Sequence, residues 1–110
     1  MGITATVDEA TVQEMVRRIL AVAQPRRIIL FGSAATGRMT RDSDVDLLVL
    51  EDSPGNTRKE SVRLRESLCG MGFPIDVIVM ATDWFEQTKD LVGGIAYPAH
   101  RYGRVIYEAA

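Results

Sequence analysis

The sequence lacks the residues on which the commonest metal and covalent chemistries depend. Cys69 is its only cysteine, so no internal disulfide can form and no cysteine-built zinc cluster can be assembled. It sits in SLCGMG beside Leu68, where a buried or idle thiol is expected rather than a nucleophile. His100 is the only histidine, between Ala99 and Arg101, and a surface or helix-end place is expected for it rather than acid–base work. The apolar runs, such as LLVL, fall far short of the ~18 residues of a membrane-crossing helix, and no basic-plus-apolar leader opens the chain. The expectation is a cytoplasmic protein with no membrane partner. Positive charge is also wanting. A net charge of −2 gives no global field to attract nucleic acid or anionic lipid, so no direct nucleic-acid contact is expected. The basic groups (Arg17-Arg18, Arg26-Arg27, Arg58-Lys59, Arg63, Arg65) are interleaved with acids and read mainly as solvated helix faces.

What is there suffices for one domain. The 110 residues, 46% apolar and 25% charged, can close a single core and have the composition of a globular protein. Val12, Met15, Val16, Ile19, Leu20 and Ala23 recur at helical spacing over residues 8–23, and Pro25 closes that helix. IILF (28–31) is a short β-branched run that reads as a strand ending at Gly32. Ser33 to Gly37 suits a turn or the first turn of a helix. Val45 to Leu50 is a second strand with both faces covered. Thr57 to Leu68 reads as a helix ended by Gly70 and Gly72, and Ile75 to Met80 as a third strand. Thr82 is positioned to cap a helix over 83–92, which Gly93-Gly94 interrupts. A short helix near Tyr97–Tyr102 and a last strand near Val105–Tyr107 complete an α/β (α+β) arrangement, a small mixed sheet covered by helices. Core packing is the first expectation for Trp84 and Phe85, with partner contact the second. Tyr97, Tyr102 and Tyr107 are expected to pack, and Glu51 and Asp52 to be solvated beyond the second strand.

Aspartates stand out against this background. Residues two apart on a strand face the same way, so Asp44 and Asp46 share a face while Val45 turns away. Their Cα atoms are about 6.6 Å apart, at ~3.3 Å per residue. Two charges at that distance repel by roughly 0.6 kcal/mol in water and roughly 2.5 kcal/mol at an effective dielectric of 20. At the mouth of an apolar strand a bound cation is the natural remedy. Asp76 is the one charge in PIDVIVM, where an unpaired carboxylate would be desolvated at a cost or protonated. Three aspartates near the ends of neighbouring strands form an oxygen-only donor set, which suits Mg²⁺ or Mn²⁺ rather than zinc. The bland alternative is a surface Asp-Val-Asp turn with a lone Asp held by an arginine.

Gly32-Ser33 lies between a strand and an expected helix start, where backbone N–H groups and the helix dipole make an anion site. Gly32 has no side chain to block a phosphate, and the Ser33 hydroxyl can donate to one. No Gly-Lys-Ser/Thr follows, so this is not a Walker loop, and it is not a Gly-x-Gly-x-x-Gly turn. A phosphate cradle, a metal site and a carboxylate base are together the parts of a phosphoryl-type transfer from a nucleotide.

Gly32-Ser33, Gly37 and Ser43-Asp44-Val45-Asp46-Leu47 resemble the signature of the polymerase-β-like nucleotidyltransferase superfamily, with Asp76 where that family carries its third acid. The short chain looks like a minimal nucleotidyltransferase (MNT). Many of these are antitoxins beside a HEPN-domain ribonuclease toxin. The likeness extends over residues 1–110 as a single domain, with the tail Ile95-Ala-Tyr-Pro…Gly103-Arg-Val-Ile-Tyr107 the softer part. It implies a nucleotidyltransferase fold. Gly32 and Ser33 would hold the nucleotide phosphates, Asp44 and Asp46 would bind Mg²⁺, and Asp76 would complete the metal site and help activate the acceptor. It further implies transfer of AMP from ATP to a tyrosine hydroxyl of a HEPN toxin. The alternatives are neutralisation by binding alone, or transfer to a small molecule such as an aminoglycoside. Many relatives carry arginine where this chain has Thr36. Arg38 or Arg41 would have to supply that phosphate contact, and a solvated role for both is the alternative.

Overall fold

A computed structural model describes residues 7–32 and 45–110. The first helix, α1 (Glu9–Leu20), starts where Asp8 accepts a hydrogen bond from the Thr11 backbone N–H at 2.8 Å, satisfying one of the orphan donors of the first turn. Val12, Met15 and Ile19 form its buried stripe. It ends three residues short of the sequence expectation. Pro25 disfavours helical geometry at the residue before it, and the chain must turn there to enter the sheet.

The strands β1 (Arg27–Phe31) and β2 (Val45–Glu51) pair antiparallel, and β3 (Ile75–Ala81) lies parallel to β2. The crossover between β2 and β3 is α2 (Thr57–Ser67), capped by Asn56, whose side chain accepts from the Lys59 N–H at 3.0 Å. Two short helices follow, α3 (Thr82–Thr88) and α4 (Ala96–Tyr102), and then β4 (Arg104–Glu108). The sheet order is β3-β2-β1-β4, so β2 lies inside the sheet, and all of its residues but Asp46 are buried.

Alternation along β2 divides the core into two layers. Val45, Leu47 and Val49 pack with Val12, Met15 and Ile19 of α1 and Leu64 of α2. Leu48 and Leu50 point the other way, with Ile29, and pack against Phe85 of α3 and Ala96 and Ala99 of α4. Arg18 donates to the Cys69 carbonyl at 2.8 Å and Arg63 to the Val22 carbonyl at 2.6 Å, tying α1 to α2. The Ser61 hydroxyl accepts from the Val79 N–H at 3.0 Å, so α2 satisfies a donor on the outer edge of β3.

Several local expectations are corrected. Glu51 is the last residue of β2 rather than a solvated residue beyond it, and only 9% of it is exposed. Asp52 is exposed as expected and pairs with Arg26. Cys69 is exposed. Phe85 is fully buried but its neighbour Trp84 is 57% exposed, because a helix of seven residues lying on a sheet buries one face only. Tyr102 is exposed as well. The cap position of α3 is Ala81, not Thr82, and no side chain caps it.

Candidate functional site

The candidate site grows from the register of the sheet. β1 ends at Phe31, and Gly32 follows with φ 74°, a left-handed conformation that favours glycine. Phe31 is the cross-strand partner of Asp46. On its other side Asp46 is the partner of Asp76. The two aspartates therefore stand side by side on adjacent strands, which run about 4.8 Å apart, with the Gly32 turn next to them.

Parity sets the face they occupy. Val45 and Leu47, on either side of Asp46, are both buried in the first core layer, so Asp46 points to the opposite face with Leu48 and Leu50. Asp76 shares that face with Ile78 and Met80. There, α3 and α4 cover Ile29, Leu48 and Leu50, whereas Asp46 is half-buried and Asp76 exposed. Among the described residues, the helices close one end of the face and do not reach over the acids. The expectation that Asp76 is desolvated within its strand is thus not met. What singles it out is its place beside Asp46.

The Gly32 turn lies close against Asp46. A Cβ placed on Gly32 would fall within the van der Waals shell of Asp46 Oδ2, with Asp46 Cγ at 3.4 Å. Gly32, Asp46 and Asp76 are thus gathered at one place. Ser33 and Asp44 lie outside the described residues, as do Thr36, Gly37, Arg38, Arg41 and Ser43.

No group of three or more His, Cys, Asp or Glu side chains able to hold a metal occurs among the described residues. The pair Asp46 and Asp76 offers two carboxylates on one face of the sheet, and Mg²⁺ usually takes one or two, filling its shell with water and phosphate oxygens. The donor set fits that ion. It does not fit zinc, for which imidazole or thiolate ligands are usual.

Residues 12–97 match the family model for the nucleotidyltransferase domain, and the chain belongs to that family. Among solved structures it is similar to a toxin–antitoxin crystallised with AMP-PNP, at a TM-score of 0.59 and 18% identity, over 88% of this chain and 73% of that one. At that identity the likeness speaks for the fold alone. No curated protein matches the sequence.

Proposed function

We propose that this protein is a Mg²⁺-dependent protein adenylyltransferase that acts as an antitoxin, moving AMP from ATP to a tyrosine hydroxyl of a HEPN ribonuclease. The observation that carries this reading is the register that sets Asp46 beside Asp76 next to the Gly32 turn. Asp46 and Asp76, with Asp44, would hold Mg²⁺ or Mn²⁺, which when bound neutralises charge developing on the phosphates. Gly32 and Ser33 would seat those phosphates through backbone N–H and hydroxyl donors. Asp76, the more exposed acid, is open to an acceptor and would take its proton. The acceptor oxygen then bonds to the α-phosphorus as the bond to the bridging oxygen breaks, and pyrophosphate leaves.

A second reading, neutralisation by binding alone, is favoured by the apolar side chains left exposed around α3 and α4, with Trp84 57%, Leu91 61% and Val92 82% accessible. The Asp44→Asn/Asp46→Asn double variant separates the two. Under the enzymatic reading it binds the ribonuclease in a pull-down yet fails to silence it in the presence of ATP and Mg²⁺. Full silencing by that variant without ATP would leave masking as the function.

A further inference from the structure

On sequence grounds the bare glycine of the Gly-Ser turn gives clearance to an incoming phosphate, but the structure fills part of that space from within. The nearest atoms that a Cβ on Gly32 would meet all belong to Asp46. Oδ2 would overlap it, Cγ would lie at 3.4 Å and Cβ at 3.6 Å. The Asp46 Cβ is fixed by the backbone of β2, at a residue paired on both sides. An added methyl group would therefore leave the strand in place and force the carboxylate to turn about its side-chain bonds.

The geometry points to Gly32 as a positioning residue for Asp46: its missing side chain is the space in which the Asp46 carboxylate lies. The turn after β1 thereby fixes the orientation of an acid on the next strand. This deepens the proposed function and rests on it only for the consequence at the metal, where a misoriented carboxylate weakens the hold on the ion.

A strained φ at Gly32 must be separated from crowding, and the chain supplies a control. Gly70 also has a positive φ, 86°, but a Cβ there meets nothing within 4 Å. Gly70→Ala therefore carries the backbone cost without the contact. The experiment compares the parent, Gly32→Ala and Gly70→Ala by Mn²⁺ titration without nucleotide, and adds a metal-free crystal structure of Gly32→Ala. If that variant fails to fold, Gly32→Asn replaces it, since asparagine tolerates positive φ better and carries the same Cβ.

The expected result is a Mn²⁺ affinity about tenfold or more lower in Gly32→Ala, the scale seen when the support of a metal ligand is lost. Gly70→Ala keeps the parent's affinity, and the metal-free structure of Gly32→Ala shows the Asp46 carboxylate in a different rotamer. An unchanged Asp46 rotamer in that structure would overturn the inference. So would an unchanged Mn²⁺ affinity accompanied by weaker ATP binding, which would return the glycine to the phosphate. A parent that binds no Mn²⁺ would count against the proposed function instead, and the metal-free structure would still decide the role of Gly32.

Discussion

Asp76 is the second residue of β3 and is exposed, so its carboxylate carries little of the fold. Asp76→Asn is expected to change stability by no more than about 0.5 kcal/mol, the usual range for surface substitutions. Transfer to the partner should nevertheless be lost, which parallel denaturant melts and transfer assays would show. Glu51 behaves in the opposite way. Burial first, and then Glu60 alongside, push its pKa from 4.5 to about 7 against the opposing charge of Arg63. Folded Glu51 thus keeps a proton that the unfolded chain releases. Its stabilising contribution is complete below pH 4.5 and is lost as pH rises to about 7. Glu60, held below its ordinary value chiefly by the Arg63 hydrogen bond, has the reverse dependence, losing its contribution as the solution becomes acidic. Glu51→Gln should therefore stabilise the protein at pH 8 by on the order of 2 kcal/mol and flatten the decline between pH 5 and 8, as urea melts across that range would reveal. The sequence hides this because the second strand reads as ending at Leu50. One more residue of strand, with parity, sends Glu51 under α2.

At the scale of elements, hydrophobic spacing and turn residues made every described helix and strand legible, with ends shifted mostly by a residue or two. The three described residues of the site were legible as types, a glycine after a strand and acids near two strand ends. Their adjacency was not. It follows from the pairing of Phe31 with Asp46 and of Asp46 with Asp76, and register is a property of the assembled sheet rather than of any one strand. The choice between Trp84 and Phe85 was hidden for a similar reason, since only docking on the sheet decides which side of α3 is inside. The passage from α4 to β4 carries a further constraint. A Cβ on Gly103 would overlap the Ala99 carbonyl oxygen and lie 2.6 Å from Ile29 Cγ2. The φ there is −79°, so the need for glycine is a matter of space alone. Gly103→Ala should cost about 1–3 kcal/mol, as other overpacked substitutions do. A denaturant midpoint equal to the parent's would show that α4 can move away from the sheet at no cost.

For the molecule as a whole, the layering of the sheet dictates where chemistry is possible. One face is filled by α1 and α2. On the other, α3 and α4 pack over Ile29, Leu48 and Leu50, and among the described residues Asp46 and Asp76 lie beyond that cover. Exposed apolar residues lie on and between these two helices, among them Trp84, Leu91 and Val92. The net charge of −2 leaves nucleic acid the less favoured partner. In the proposed function, Asp46 and Asp76 serve the transfer of a nucleotide to a protein partner. The most direct test of the proposed function is the intact mass of the proposed HEPN partner after incubation with this protein, ATP and Mg²⁺. Mass added in whole AMP increments, abolished by EDTA and by Asp46→Asn, is the expected result. A partner silenced at unchanged mass would contradict it.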